Sequence, residues 1–271
     1  MIKNNNYTIF GSTGFLGKNL KEFLIKKNYN VFCPSKKKTK FNKDLGHVFY
    51  CSGTSDSIKD PDKALNANLM YLNNIILNNH FKSFTYFSSI RVYSSNKSSR
   101  EKDKIIYDLS EKGVYFKRLK LAAESLCLQI NNPKIRIIRF SNLYGNHFDK
   151  QIYLLPTILR NIKKGKKIKL TISPFSTKNY LNVKDAIKMA ILIAKKGKFR
   201  IYNVASKSTI RVGEIFKIIH KIKKFNIQIL KNNNLTSEPK ININRIKEEF
   251  NFSEKKSFKK NFFDLINNHY N

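Results

Sequence analysis

The first half of the chain alternates short apolar runs with stretches of helical periodicity. Apolar runs of about four to eight residues are typical of buried strands, and apolar residues at three- and four-residue spacing indicate helices that bury one face. The predicted strands lie at 7–10, 30–33, 47–51, 84–88 and 135–140, and the predicted helices at 15–27, 61–79 and 114–129. Strands and helices in this order are typical of parallel βαβ units, so the pattern predicts a doubly wound α/β fold.

After residue 140 the order of the elements becomes mixed. Helices are predicted at 157–164, 184–195, 212–223, 244–250 and 258–268, and strands at 167–171, 180–183 and 200–204. No stretch rich in Pro, Gly and Ser separates the two halves. We therefore expect residues 1–140 to form the core with the parallel sheet, and residues 141–271 to form a smaller α/β lid packed on it rather than an independent domain.

The composition is strongly basic, with 53 Lys and Arg against 18 Asp and Glu and a net charge of +35. Such a charge is common in proteins that bind nucleic acid. Here, however, the lysines are spread along the whole chain together with many Asn and Ile residues, and all three use A/T-rich codons. A biased genome accounts for that excess, so the sequence does not favour nucleic acid as a partner, although polyanions are expected to bind at low salt.

Several protein classes are excluded by what the chain lacks. No apolar run approaches the roughly 18 residues that a membrane helix needs. The N-terminus lacks the apolar region and cleavage site of a signal peptide. Three scattered cysteines fit neither a disulfide scaffold nor a zinc module. We expect a soluble, cytoplasmic protein without a membrane segment or a structural metal.

A glycine-rich turn joins the first predicted strand to the first predicted helix. Gly11 permits a tight turn, Gly14 allows the backbone to approach a pyrophosphate, and Gly17 lets the helix pack closely on the sheet. The unsatisfied N–H groups at the start of the helix would face the phosphates. The predicted cofactor loop consists of Gly11, Thr13, Gly14, Phe15, Leu16 and Gly17.

The residues after the second predicted strand bear on the choice of dinucleotide. An acidic residue at this place binds the ribose of NAD, whereas a basic residue accommodates the 2′-phosphate of NADP. The chain has Ser35 and Lys36 here, followed by further lysines, and no carboxylate. The sequence therefore favours NADP, with NAD as the alternative.

Further segments follow the glycine turn along nearly the whole chain. They lie at 50–53, 68, 88–93, 120–124, 139–145 and 178–185. Together they resemble the extended short-chain dehydrogenase/reductases, the NAD-dependent epimerase/dehydratase family that modifies nucleotide sugars. The resemblance implies an NAD(P)-binding Rossmann core in which Cys51, Ser52, Gly53 and Asn68 contact the cofactor. It also implies a homodimer formed by the helices at 61–79 and 114–129.

The chemistry of that family needs a hydroxyl group, a tyrosine and a lysine. The resemblance assigns the hydroxyl to Ser89 and the lysine to Lys120, but Phe116 stands four residues before the lysine, where the tyrosine is expected. Tyr115 is one residue further away, about 100° around a regular helix. A distorted helix could bring Tyr115 into place, and we keep it as the candidate proton donor. Alternatively, Tyr93 or Tyr144 acts instead, or the site binds the cofactor with little hydride chemistry.

The family resemblance also narrows the reaction. The 4,6-dehydratases of the family carry Thr-Asp-Glu where this chain has Ser89, Ile90 and Arg91. Without that acid pair we expect 4-keto reduction or epimerisation of a nucleotide sugar, with Asn142 and Lys178 on the substrate side. The alternative is a catalytically weakened NADP-binding regulator or a nucleic-acid-associated relative that lacks the motif tyrosine.

One connection is shorter than the resemblance suggests. Only residues 34–46 join the second and third predicted strands, where the family has another strand and helix. A bare crossover needs only about 10–12 residues, so we expect this βα unit to be reduced. Asp44 and Leu45 within it could contact the adenine or could belong to a turn.

Overall fold

The computed structural model describes residues 3–36, 38–54, 59–94, 96, 98–106, 114–147 and 153–270. Its strands are β1 (Lys3–Phe10), β2 (Tyr29–Phe32), β3 (His47–Tyr50), β4 (Ser83–Ser89), β5 (Ile135–Phe140), β6 (Asn142–Tyr144), β7 (Ile168–Ile172), β8 (Thr177–Lys178), β9 (Tyr180–Asn182), β10 (Ile201–Val204), β11 (Ile210–Arg211) and β12 (Ile227–Asn234). Its α-helices are α1 (Phe15–Lys26), α2 (Pro61–Leu65), α3 (Tyr71–Leu77), α4 (Val114–Gln129), α5 (Leu154–Lys163), α6 (Val183–Lys196), α7 (Val212–His220), α8 (Asn244–Phe250) and α9 (Phe258–Tyr270).

Within the described residues, the central sheet has six strands in the order β10-β5-β4-β3-β1-β2, and all neighbouring pairs are parallel. Residues of β3 are buried throughout, as expected for a parallel strand covered by helices on both faces. The strand order changes direction at β1, because β2 lies on one side of it and β3 on the other. The prediction of a doubly wound α/β fold is confirmed.

Both faces of the sheet are covered by apolar clusters. On one face, core residues of β1 and α1 pack with α6 and with residues as far along the chain as Ile246. On the other face, core residues of β3, β4 and β5 pack with α3 and α4. A third cluster joins α5, α7 and α9 with β7. Residues of the second half of the chain, including those of α6, therefore share a core with the sheet.

The connection between β2 and β3 is a bare crossover. The described residues of 33–46 form neither strand nor helix, so β2 is the edge strand, and the expected reduction of this unit is confirmed. The segment is fastened to the end of α3, where the Asn79 side chain donates to the Thr39 carbonyl at 2.7 Å. Asp44 accepts a hydrogen bond from the Gly46 N–H at 2.5 Å. Asp44 thus belongs to a turn before β3, at the edge of the sheet opposite the glycine loop, and the adenine contact is not supported.

The helix predicted at 61–79 is interrupted by a π-helical turn, Asn66–Met70, between α2 and α3. Such single turns are frequently found at functional sites. Asn68 lies in the middle of this turn and is completely buried. Within the described part of the chain, no helix is long and apolar enough to cross a membrane.

Candidate functional site

The glycine loop has the close contacts that the sequence predicted. Gly11 has a φ of +81°, and a Cβ atom there would lie 2.7 Å from the Ser52 backbone nitrogen. A Cβ atom on Gly17 would lie 2.2 Å from the carbonyl oxygen of Gly11. Gly14 is the N-cap of α1, and no side chain among the described residues caps it. The N–H groups of the first turn of α1 are therefore open to a ligand.

A cleft of about 290 Å³ lies in front of this helix N-terminus. Its walls come from the residues that follow β1, β3, β4 and β5, so it lies at the carboxyl edge of the sheet. Ligands of open α/β sheets bind in this crevice. The predicted site residues that line it are Gly14, Phe15, Leu16, Cys51, Ser52, Gly53, Asn68, Ser89, Lys120 and Asn142.

Other predicted residues do not line the cleft. Gly11 and Gly17 lie behind the cleft wall, where they permit the close backbone packing described above. Thr13 and Lys36 are exposed, and so is Ser35, whose carbonyl accepts a hydrogen bond from the Tyr71 hydroxyl at 3.3 Å. The remaining two predicted residues outside the cleft are Tyr115 and Lys178.

Asn68 presents an unsatisfied acceptor beside the cleft. Its side-chain nitrogen donates to the carbonyl oxygens of Ala64, at 2.9 Å, and Thr54, at 3.1 Å. Its Oδ1 is buried and has no hydrogen-bond partner among the described residues. A Cβ atom on Gly53 would lie 2.7 Å from this oxygen. Because an unsatisfied buried acceptor is costly, the arrangement fits a site that a bound ligand completes.

Lys120 projects from α4 into the cleft and is only 8% exposed. Its ammonium group donates to the Phe87 carbonyl oxygen at 2.9 Å and lies 4.9 Å from the centre of the Tyr86 ring. Burial lowers the pKa of Lys120 to about 8, although the nearby Glu124 carboxylate acts in the opposite direction.

The structure of α4 bears on whether Tyr115 can replace the missing motif tyrosine. This helix is regular from Val114 to Gln129, so the distortion that would bring Tyr115 into place is absent. Phe116, not Tyr115, lines the cleft, and its ring centre lies 5.8 Å from the Lys120 ammonium.

The two other tyrosines considered from the sequence are engaged elsewhere. The Tyr93 hydroxyl donates to Asn203 Oδ1 at 3.1 Å and accepts from Arg139. Tyr144 is buried against the rings of Phe258 and Phe262. Burial raises the pKa of both hydroxyl groups, and neither residue lines the cleft.

Ser89 stands at the end of β4 and forms the N-cap of the short helical turn that follows. Its Oγ accepts a hydrogen bond from the Arg91 N–H at 3.2 Å. The preceding residue, Ser88, donates instead to the buried Glu124 carboxylate at 2.5 Å. Both serines line the cleft, but alternation along the strand directs the Ser88 hydroxyl toward α4 and the Ser89 hydroxyl away from it.

A second chamber adjoins the cleft and contains Lys178. Arg91, Asn142, Tyr153 and Tyr180 line both cavities. Glu238 joins the two predicted substrate residues, because its carboxylate accepts from the Asn142 amide at 2.8 Å and lies 3.5 Å from the Lys178 ammonium.

Glu238 and Tyr153 were not predicted as site residues. Glu238 lies in the loop after β12, and Tyr153 is the N-cap of α5. Neither position carries a motif or a periodic pattern that sequence reasoning could have used.

The parallel sheet, the glycine loop and the cleft at the carboxyl edge define a protein with the Rossmann fold. The family model described as "NAD dependent epimerase/dehydratase family" matches residues 43–205. The chain therefore belongs to this family, as the motifs predicted.

Solved structures with low sequence identity share the whole fold. A Tyr-to-Phe variant of UDP-glucuronic acid 4-epimerase from Bacillus cereus, in complex with UDP-4-deoxy-4-fluoro-glucuronic acid and NAD, is 17% identical, with a TM-score of 0.82 over 98% of this chain and 100% of that chain. RMD from Pseudomonas aeruginosa, complexed with NADPH, is 18% identical, with a TM-score of 0.79 over 98% and 99% of the two chains.

A dTDP-glucose 4,6-dehydratase from Bacillus anthracis, in complex with NAD, is 15% identical, with a TM-score of 0.77 over 97% of this chain and 95% of that chain. No curated protein matches the sequence. At these identities the likeness establishes the fold alone.

Proposed function

We propose that this protein uses a nicotinamide dinucleotide to epimerise or reduce the sugar of a nucleotide sugar. The observation that carries the proposal is the cleft, in which the N-terminus of α1 faces the same cavity as Ser89 and Lys120. Membership of the family supports this class of chemistry. The ligands of the compared structures, which include UDP-4-deoxy-4-fluoro-glucuronic acid with NAD, support it further.

The residues present fit a dinucleotide. Gly11 and Gly17 leave no room for side chains, so the backbone of the loop stays close to the cleft. The uncapped first turn of α1 suits a pyrophosphate, and Asn68 offers a buried acceptor. When bound, the dinucleotide would donate hydride to a sugar carbon or accept it from one.

The substrate side follows from the two cavities. The Ser89 hydroxyl would hold the reacting sugar oxygen, and Asn142 would shape the border between the cleft and the second chamber. The Lys178 ammonium would attract the diphosphate of the substrate. Arg91 supplies a cation beside Ser89 and no carboxylic acid, which favours 4-keto reduction or epimerisation over dehydration.

The choice between NADP and NAD rests on the end of β2. Ser35 and Lys36 are exposed there, and residues 33–43 contain no carboxylate. We infer a preference for NADP, because a carboxylate that would repel the 2′-phosphate is missing.

A second candidate function is favoured by Phe116. A cleft that binds the dinucleotide without a phenol at this position could serve a regulator that senses the cofactor without turning it over. Binding without chemistry would separate this candidate from the enzyme.

The first test is a titration with NADH and NADPH, followed by nicotinamide fluorescence at about 0.15 M salt to screen non-specific charge. We expect micromolar binding, with NADPH tighter. The variant Gly17→Ala is expected to weaken binding, because the added Cβ would lie 2.2 Å from the Gly11 carbonyl oxygen. Gly213→Ala is its control, because there the added Cβ would lie 3.3 Å from the Pro174 carbonyl oxygen, a milder contact. Turnover of the wild type is then tested in two assays. The first contains NAD with UDP-glucose or UDP-glucuronic acid. The second contains reduced dinucleotide with a 4-keto nucleotide sugar. Absence of binding refutes the proposal, and binding without any turnover favours the regulator.

We also propose a homodimer formed through the helical segments 61–79 and 114–129. Three large apolar side chains of these two segments are exposed, namely Met70, Leu77 and Leu128 at 49%, 63% and 39%. Light scattering of the wild type and of Leu77→Glu tests the interface, since a monomeric wild type would contradict it. The cytoplasmic location stays a prediction.

A further inference from the structure

The cleft contains a lysine where the proton donor is missing. Phe116 occupies the position one helical turn before Lys120, and its ring has no proton to exchange. Lys120 is nevertheless buried in the cleft wall, with its ammonium group 5.8 Å from the centre of the Phe116 ring. An acid or base for the sugar oxygen must therefore come from Lys120 or from a group outside α4.

The Lys120 ammonium has few polar partners among the described residues. Among the described residues it makes one hydrogen bond, to the Phe87 carbonyl, and lies over the rings of Tyr86 and Phe116. No carboxylate lies within 4 Å of it in the described part of the chain. A buried ammonium with neutral partners holds its proton less firmly than one paired with a carboxylate.

The carboxylate closest along the helix is already engaged. Glu124 lies one turn after Lys120, but it accepts hydrogen bonds from Ser88 and from the Arg139 guanidinium, with an Arg139 Nη2 to Oε2 distance of 2.5 Å. The other titratable groups that face Lys120 are Tyr86, Cys51 and Cys127.

Burial keeps these three groups neutral near pH 8, because it raises the pKa of each of them. Among the described residues, Glu124, which is held by Arg139, is thus the one carboxylate that opposes the effect of burial on the pKa of Lys120. The lysine is left able to exchange its proton near neutral pH.

We propose that the Lys120 Nζ itself gives and takes the proton of the sugar oxygen in this protein, in place of a phenol. This inference rests on the proposed function. In the reducing direction, the sugar carbonyl carbon gains hydride from the reduced dinucleotide, and its oxygen gains a proton from the ammonium. The products are the alcohol, the oxidised dinucleotide and the neutral amine, which regains a proton from solvent. In the opposite direction, the amine removes the hydroxyl proton as hydride leaves the carbon.

The first experiment measures the titration of Lys120 without any variant. The wild type is labelled with a trace of acetic anhydride between pH 6.5 and 11, and the label on Lys120 is quantified by mass spectrometry. We expect a midpoint near 8, against about 10.4 for a lysine in a model peptide. Exposed Lys26 in the same sample is the reference for ligand protection. NADH is expected to protect Lys120 and not Lys26. A midpoint above 10, or a lack of protection, would overturn the inference even if the enzyme is active.

The second experiment separates proton transfer from charge. Lys120→Arg keeps the cation but cannot release a proton, because the guanidinium pKa exceeds 12. We expect turnover to fall at least about 10²-fold, the usual effect of losing a positioned acid or base. NADH affinity should change by less than about tenfold, and Lys26→Arg should leave both quantities unchanged. Retained turnover in Lys120→Arg, together with its loss in Tyr153→Phe, would assign the proton to Tyr153 and overturn the inference.

A gain-of-function variant completes the test. Phe116→Tyr adds a phenol beside Lys120, which would provide a second proton carrier. We expect faster turnover in the reducing direction above pH 8, where Lys120 is mostly neutral and a proton donor is scarce, because a phenol with an ordinary pKa of about 10 is still protonated there. If the wild type binds NADH but turns over no probe, the proposed function fails with the inference. Turnover with an ordinary Lys120 midpoint removes the inference alone.

Discussion

Glu124 is the centre of a buried polar network behind the cleft, and its removal should be costly. Its carboxylate accepts from Ser88 Oγ at 2.5 Å, from Arg139 Nε at 3.0 Å and from Arg139 Nη2 at 2.5 Å. The Arg139 and Glu124 side chains are only 4% and 3% exposed. Glu124→Gln keeps the shape of the side chain but leaves the guanidinium of Arg139 charged, buried and without a counter-ion.

Removing one partner of a buried ion pair typically costs about 3–5 kcal/mol. For a chain of this size 1 kcal/mol corresponds to about 2–4 °C, so Tm should fall by about 6–20 °C. The melting curve is followed by far-ultraviolet circular dichroism, because the chain contains no tryptophan whose fluorescence could report unfolding. The matched control is Asp264→Asn, which breaks the exposed pair with Lys256 and should cost less than about 1 kcal/mol. Equal Tm changes in the two variants would refute the reasoning.

Two further predictions concern the glycine loop and a buried histidine. Gly17→Ala would place a methyl group 2.2 Å from the Gly11 carbonyl oxygen, so we expect NADH binding to weaken at least tenfold; unchanged affinity by fluorescence titration would contradict this. Burial lowers the pKa of His47 to about 4, so the unfolded chain takes up a proton first as the pH falls below about 6.5. The wild type should therefore lose about 3 kcal/mol between pH 6.5 and 4. His47→Asn should lose less stability over the same pH range. Equal losses in the free energy of unfolding of the two proteins, measured with urea, would contradict the assignment of this effect to His47.

The sheet could be predicted from the sequence because its strands are apolar and follow one another in a regular order. The beginning of β1 could not, since Lys3–Asn6 is polar and extends the strand by pairing with β2. The π-helical turn at Asn66–Met70 also escaped prediction, because one extra residue hardly alters the apolar spacing of the helix. Both features depend on tertiary contacts rather than on local pattern.

The candidate site was predictable wherever backbone motifs fix it. The glycine loop, Ser89 and Lys120 each follow a strand or lie on a helix face whose position the pattern determines. Glu238 could not be foreseen, because it reaches Asn142 from a loop 96 residues further along the chain. Its place depends on how the second half packs against the first.

The burial of Lys120 leads to a prediction that separates an active site from a decayed one. With a pKa lowered to about 8, the buried ammonium costs the folded state about 3 kcal/mol at pH 7, since each pKa unit corresponds to about 1.4 kcal/mol. Lys120→Met should therefore stabilise the protein by about 1–3 kcal/mol at pH 7, while it abolishes turnover. As the pH rises from 8 toward 10.5, the folded state loses this proton before the unfolded chain does, so the wild type gains stability and the difference between the two proteins shrinks. Lower stability of Lys120→Met at pH 7 would mean that the lysine has a structural role. Higher stability together with a loss of turnover is expected of a residue that contributes to catalysis and destabilises the fold.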